Sequence, residues 1–425
     1  MVIGKNWLLL SVFLPSILLA QEAVTLTLES AYNQAEKNYP VIKQKDLVKQ
    51  TADLNISNLS KSYLPQFSLN GQASYQSHVT KVDIPISGIN IPTPQKDQYK
   101  LTADVSQSLY DGGVIKQQKI LQQLNAGVED QKVEVELYKL KEKINQLYLG
   151  ILYLDEQLKQ VYLIKTDIQN GIKRVEAQVN NGVAFKSNLT VLKAELLKTG
   201  QRTIELKASR EEYLETLGLF LNQSLADDIV LEMPMLSSSQ PFTTAIHRPE
   251  LKLYNEQVKL LGQQNNLVHS KNLPKANLFA QGGYGRPGLN MLDNQFGFFY
   301  IGGVKLNWSL SGLYTKKKEK QLVKINQQLV DVQKETFLLN TNAQLKQQQS
   351  DIQKLDQLIT SDKEIIELRK MVKDAAKAQL ENGVITANDY LREVNAEDQA
   401  RQMLIAHELQ LLQGKINYQT ISGKQ

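Results

Sequence analysis

Gln66-Phe67-Ser68-Leu69-Asn70-Gly71-Gln72-Ala73-Ser74-Tyr75-Gln76 alternates without a slip. Successive side chains of an extended chain point to opposite faces, so Phe67, Leu69, Gly71, Ala73 and Tyr75 share one side and the polar residues share the other. A second run repeats the pattern, with Tyr99, Leu101, Ala103, Val105 and Leu109 against Lys100, Thr102, Asp104, Ser106 and Ser108. The Pro- and Gly-rich connection from Ile84-Pro85 to Pro92-Thr93-Pro94 reads as an exposed hairpin loop. Farther along, Phe296, Phe298, Tyr300, Val304, Leu306 and Trp308 share a face, preceded by a strand from Ala276 and a shorter loop through Arg286-Pro287-Gly288.

The expected strands therefore span about 66–76, 99–110, 276–285 and 296–309. Each has the length of about ten residues that a tilted strand needs to cross a bilayer. Their polar face has no apolar partner, which argues against a dry sandwich core and for a water-filled lumen with lipid outside. Tyr75, Tyr99, Tyr284 and Trp308, near strand ends, suit interfacial girdles. Soluble two-sided hairpins are the bland alternative, and isolated hairpins are marginal in water. Four strands close no barrel, because bacterial barrels begin at about eight. The chain must oligomerise to remove its sheet edges.

The sequence also repeats itself. Tyr39-Pro40 and Leu64-Pro65 return as Arg248-Pro249 and Leu273-Pro274 at an offset of 209 residues (40 to 249, 65 to 274). Ala177-Gln178-Val179-Asn180-Asn181-Gly182-Val183 returns as Ala378-Gln379-Leu380-Glu381-Asn382-Gly383-Val384, offset by 201 (177 to 378). The second copy has lost eight residues net, and the shorter strand loop is the natural place for them. Two copies of one structural unit are implied, spanning 21–221 and 248–425 around a linker at 222–247.

Between strand pair and repeat motif the period changes. Leu137, Leu140, Ile144, Leu147, Ile151, Leu154, Leu158, Val161, Ile168, Ile172, Val175 and Val179 keep three-four spacing, with Lys165 the one polar slot. This is a coiled-coil seam on a helix from Gly113 to Asn181, about 100 Å long. Its counterpart runs from Tyr314 to Glu381, with an expected stripe of Leu345, Ile352, Leu355, Leu358, Ile365 and Val372. Shorter helices are expected over Ser30–Ser62, Asn188–Asn222, Glu250–Asn272 and Asn388–Tyr418. Both long helices end at Asn-Gly, where a left-handed Gly stops a helix. Ser187 and Asn388 are the expected caps of the returning helices. Helix punctuation explains the glycines and leaves the paired Val183 and Val384 unexplained.

Composition narrows the function classes. The net charge of +5 falls to +4 without Lys5, too little and too dispersed for a nucleic-acid surface. Lys316-Lys317-Lys318, followed by Glu319, reads as a solvated face. There is no cysteine, hence no disulfide scaffold, thiolate metal site or lipid-modified N-terminal Cys. Residues 1–20 carry one Lys and an apolar run from Trp7 to Leu19, the pattern of a secretory leader. Beyond Ala20 no stretch approaches the roughly 20 apolar residues of a membrane helix. His78, His247, His269 and His407 are scattered, with no metal or triad spacing, so neither enzyme chemistry, a cofactor nor a metal is expected. Gly282-Gly283 and Gly302-Gly303 lie inside strands and read as close-packing or bend sites.

The duplicated strand-strand-long-helix unit, the Leu-Pro before each strand pair, the Ser108-Leu109-Tyr110-Asp111-Gly112-Gly113 strand exit and the paired Asn-Gly-Val turns resemble the TolC-like outer membrane efflux proteins. The resemblance covers nearly all of the chain after the leader. It implies an α+β membrane protein: a homotrimer whose twelve antiparallel strands, four per chain, form one outer-membrane barrel, continued by a periplasmic α-helical coiled-coil barrel. It further implies an exit duct of a tripartite efflux or type I secretion system, fed by a periplasmic membrane-fusion (adaptor) protein and an inner-membrane efflux pump or ABC exporter. The adaptor-contact tips would be Asn181, Gly182 and Val183 with Asn382, Gly383 and Val384. Acidic residues often narrow the family's entrance; Asp389 matches such a position, with Arg392 one turn later and Asn188 on the other returning helix. An acid in a first helical turn is also favoured by the helix dipole whatever its function. Where the first repeat has Tyr110-Asp111-Gly112-Gly113 the second has Leu310-Ser311-Gly312-Leu313, so the two strand exits should differ in shape. A periplasmic coiled-coil scaffold without a barrel is the competing class, and only the strands separate the two.

Overall fold

The computed structural model describes residues 25–80, 93–235 and 245–424. The leader, most of the loop beginning at Ile84 and much of the linker lie outside these residues. In chain order the elements are β1 (Thr25–Leu26), α1 (Leu28–Asn38), a 3-10 turn (Pro40–Ile42), α2 (Lys43–Lys61), β2 (Gln66–Tyr75), β3 (Asp97–Tyr110), α3 (Val114–Asn180) and α4 (Lys186–Leu221). They continue as β4 (Val230–Leu231), α5 (Pro249–Lys271), β5 (Lys275–Arg286), β6 (Gly297–Asn307), α6 (Gly312–Glu381) and α7 (Ala387–Ser422). Helix, two strands, a long helix and a returning helix thus occur twice. Both α4 and α7 are 36 residues long and begin 201 apart (186 to 387), the offset of the turn motif.

Strand and long-helix bounds agree with the sequence expectation to within three residues. The expected helix 30–62 is instead broken at Pro40. Proline lacks an N–H and disfavours helical backbone in the residue before it. Tyr39 accordingly sits at φ −65°, ψ 126°, as Arg248 before Pro249 sits at φ −69°, ψ 140°. Length bookkeeping is also corrected. The connection between strands falls from 21 residues (76–96) to 10 (287–296), more than the net loss, while the long helix grows from 67 residues to 70.

Two compact units, each drawing on both halves of the sequence, make up the fold. The sheet unit comprises residues 39–142, 240–354 and 414–425. Its four strands are all antiparallel in the order β2-β3-β5-β6. Every junction with α2, α3, α5 and α6 lies at one end of this sheet, and both hairpin connections lie at the other. The two strand exits differ as expected. Asp111 accepts N–H bonds from Gly113 (2.8 Å) and Ile115 (2.6 Å), and Gly112 and Gly113 are left-handed at φ 73° and 79°. At the second exit Trp308 Nε1 instead donates to Asn272 O at 3.1 Å.

The tip unit comprises residues 1–38, 143–239 and 355–413. Here β1 pairs with β4 in parallel, a contact the sequence did not announce. The Tyr148 hydroxyl holds both by donating to Leu26 O (2.6 Å) and Glu232 O (2.7 Å). The α3 seam is largely borne out, since Leu137, Leu140, Ile144, Ile151, Leu154, Leu158, Val161, Ile168 and Val175 are buried. Leu147, Ile172 and Val179 are half-buried, and Ile164 is buried beside the polar slot. The α6 stripe is corrected. Leu345, Ile352 and Leu355 are buried as expected, but the seam continues through Ile359, Ile366, Ala376 and Leu380. Leu358, Ile365 and Val372 lie on a second, exposed stripe at 37%, 45% and 46%.

Candidate functional site

Two places in the fold carry the expected functional residues, and each belongs to a single unit. The first is the sheet. The register brings Leu69 opposite Ala103, Leu101 opposite Tyr284, and Tyr284 opposite Phe298, so alternate positions of all four strands fall on one face. That face is bare: Phe67 is 78% exposed, Leu69 72%, Phe298 90%, Tyr300 86% and Leu306 77%. A row of large apolar groups left in water on one chain requires an apolar solvent or a partner.

The opposite face carries Asn70, Asp104 and Gln281, where Asp104 accepts from Asn70 (2.7 Å), Gln281 (2.5 Å) and Thr102 (3.1 Å). The expectation of a wholly polar inner face needs correction in the second repeat. Phe279 and Phe299 lie on it, directly opposite Gly303 and Gly283. A Cβ on Gly283 would come within 2.5 Å of the Phe299 ring, and one on Gly303 within 3.3 Å of Phe279. These glycines are close-packing sites, each roofed by the facing ring.

Tyr75, Tyr99 and Tyr284 sit at the hairpin end of the sheet, all exposed, and Trp308 sits at the helix end. Tyr284 stacks on Phe296 (centroids 5.6 Å apart), and the Arg286 guanidinium lies 5.1 Å from Phe296 and 5.7 Å from Tyr99. Aromatic residues at two levels fit a band bounded by two interfaces. Sequence reading missed Tyr110 and Tyr314, both exposed at the helix end. Their position just outside the alternating runs was the available signal.

The second place is the pair of helix turns in the tip unit. Both are Schellman turns. Val183 N–H donates to Gln178 O at 2.8 Å and Gly182 N–H to Val179 O at 3.1 Å; Val384 and Gly383 repeat the pattern onto Gln379 and Leu380 at the same distances. Gly182 (φ 71°) and Gly383 (φ 69°) supply the left-handed residue. In such turns the residue at the Val position often packs against an apolar residue three positions from the helix end. Here that residue is Gln178 or Gln379, and Val183 and Val384 stay 74% and 71% exposed. Phe185, which sequence reading passed over, is 81% exposed beside them.

Behind the turns the ends of α3 and α6 and the beginnings of α4 and α7 close one core, including Ile168, Val175, Leu192, Leu380, Tyr390 and Val394. Tyr390 lies beside Gly171, where a Cβ would meet the ring in ordinary contact at 3.7 Å. Asn188 is brought to the start of α7, where its Oδ1 accepts from Ala387 N–H at 3.5 Å. The expected caps are corrected. No side chain caps α4, whose preceding residue is Phe185, and Thr386 caps α7 in place of Asn388. Asp389 N–H donates to Thr386 Oγ1 (3.3 Å), while Asp389 Oδ2 accepts from Thr386 N–H (3.2 Å) and its hydroxyl (2.7 Å). This is a capping box with Asp in the reciprocal position. The Thr386 bonds, then the Arg392 charge, hold the Asp389 carboxyl below its ordinary range. Arg392 lies 3.9 Å from Asp389 and 3.1 Å from Glu393.

One turn deeper is an ionic knot that no sequence motif marked. Lys373 of α6 reaches Asp167 of α3 (3.1 Å) and Glu397 of α7 (2.5 Å), and Arg401 also donates to Glu397 (2.7 Å). Burial alone would push Lys373 down and Glu397 up. The hydrogen bonds and opposite charges outweigh it, so Lys373 is raised and Glu397 lowered. Among the described residues no cluster of His, Asp and Glu is placed to hold a metal, and no helix is long and apolar enough to cross a membrane.

A sheet with one bare apolar face and one largely polar face, every strand joined to a helix at the same end, has the layout of one segment of a membrane β-barrel with a helical extension. The model of the outer membrane efflux protein family matches residues 31–223. Solved structures match over nearly the whole length. The outer membrane protein VceC of Vibrio cholerae is 14% identical, with 93% of this chain and 96% of that one covered and a TM-score of 0.67. CusC is 15% identical (94% and 92% covered, TM-score 0.66), and the Campylobacter jejuni CmeC outer membrane channel 14% (93% and 85%, TM-score 0.63). No curated protein sequence matches the chain significantly.

Over residues 31–223 the chain is similar to the outer membrane efflux proteins, and over nearly its whole length it has the fold of these solved channels. The fold is the one they share, a four-stranded antiparallel sheet joined at one end to long helices.

Proposed function

We propose that this protein is the outer membrane exit duct of a tripartite efflux or type I secretion system, passively conducting substrates that a periplasmic adaptor and an inner-membrane pump deliver. The observation that carries it is the one-sided sheet with free edges. In a single chain β2 and β6 each have one unpaired flank among the described residues. Three copies pairing β6 to β2 would close twelve strands, removing every edge and putting the polar face around water. The exposed second stripe of α6, through Leu322, Ile325, Leu329 and Val332, supports the same assembly, because a helix in a closed ring needs a seam on each flank.

The adaptor would meet the turns at Asn181, Gly182 and Val183 and at Asn382, Gly383 and Val384, where the exposed Val183, Phe185 and Val384 offer an apolar contact. Asp389, Arg392 and Asn188 would line the periplasmic entrance beside them. The decisive experiment is reconstitution of protein extracted from washed outer membranes into planar bilayers. Stepwise ion conductance from an elongated trimer is the expected result. A water-soluble monomer or dimer that never inserts would overturn the reading in favour of a coiled-coil scaffold.

A further inference from the structure

The helix end of the sheet carries a lysine cluster that a duct does not require. In the first turns of α6, Lys316, Lys317, Lys318, Lys320 and Lys324 follow the exposed Trp308 and Tyr314 within 16 residues (308 to 324). All but Lys316 are exposed. The one acid among them, Glu319, accepts the Thr315 hydroxyl at 2.6 Å. None of the five makes an ion pair among the described residues, whereas elsewhere in the same unit Lys132, Lys259 and Lys354 each pair with an acid three residues away.

Left in water, this arrangement works against the helix. Lys316, Lys320 and Lys324 succeed one another at four-residue spacing, which sets like charges side by side. The penalty disappears when anions lie against the row. The location says which anions. The bare apolar band of the sheet ends at Trp308, and charged groups just past an aromatic girdle stand at headgroup level.

We propose that Lys316, Lys317, Lys318 and Lys320 form a docking surface for anionic phospholipid headgroups of the leaflet on the helix side of the sheet, with Trp308 and Tyr314 seated among the acyl-chain carbonyls. The proposal rests on the outer-membrane reading of the sheet. Each lysine at an anionic membrane surface strengthens binding by roughly fivefold, and the attraction falls with ionic strength.

The test uses the full-length protein in nanodiscs mixing phosphatidylglycerol with phosphatidylcholine, followed by native mass spectrometry of the lipids it retains. Wild type should keep phosphatidylglycerol over phosphatidylcholine by about tenfold or more, less so at high salt. The variant K316Q/K317Q/K318Q/K320Q should lose that preference while remaining a conducting trimer. Equal retention by wild type and variant, both trimeric and conducting, would overturn the lipid surface and leave the duct standing. Failure of the wild-type protein to enter the bilayer would overturn the duct, and this surface with it.

Discussion

Gly182 and Gly383 isolate one physical effect. Nothing lies within 4 Å of where their Cβ atoms would be, so an alanine meets no clash and only the positive φ resists it. Gly182→Ala and Gly383→Ala should each cost about 1 kcal/mol, read as faster amide exchange around the turn with the sheet unit unaffected. Val183 and Val384 make the opposite case. Being exposed, the pair V183S/V384S should leave thermal unfolding unchanged and weaken adaptor capture about tenfold; unchanged capture would remove these residues from the contact. Asp389 has two roles to separate. As a reciprocal cap its loss costs about 1 kcal/mol. As an entrance residue, Asp389→Ala should also raise single-channel current, and a current and closing behaviour equal to wild type would leave capping as its whole role. The turn residues were legible because Gly at a helix end has a local cause. The Thr386 cap is legible too, as Thr-x-x-Asp two residues before the expected Asn388. The Lys373 knot was not legible, because its members come from three helices and are adjacent only after folding.

At the scale of elements, the alternating strands and the α3 seam could be read directly, since a period of two or of three and a half is a property of neighbours along the chain. The α6 stripe was misread for a physical reason. This helix carries two apolar seams, one buried in its own chain and one bare, and a single sequence superposes them. Lys373, Asp167, Glu397 and Arg401 then decide how firmly α6 and α7 hold to α3 in the tip unit. Removing one partner, as in Lys373→Met, leaves Glu397 with Arg401 alone and Asp167 facing water, and should destabilise this helix end by about 2 kcal/mol. The pH dependence follows from the two shifts. Glu397 is lowered, so its contribution is complete above the ordinary glutamate value of 4.5 and is lost as pH falls through its folded value. Lys373 is raised, so its contribution is complete below the ordinary lysine value of 10.5 and is lost only as pH rises beyond it. Protection of the α7 amides near Glu397 should therefore be flat through neutrality and fall in acid below that glutamate range. A drop between about pH 6 and 8 would mean the knot is not what holds α7.

For the whole molecule, the bare seam of α6 gives a test that leaves the single chain's own packing alone. Leu322 and Leu329 are 58% and 56% exposed, so L322D/L329D replaces no buried core side chain of its own subunit. It should abolish trimer formation, read by light scattering in detergent, while each chain keeps its helical circular dichroism; a surviving trimer would place the subunit interface elsewhere. Sequence alone determined the duplication, the alternating strands and the long helices, because each is written as a period or an offset that every residue of the element repeats. Only the tertiary structure decided which α6 seam is inside, how Phe299 and Phe279 roof the strand glycines, what caps α7, and that both compact units mix residues from the two repeats. Those outcomes depend on which distant segments become neighbours. Chain closure selects such neighbours by total burial and charge pairing, and no local pattern encodes that sum.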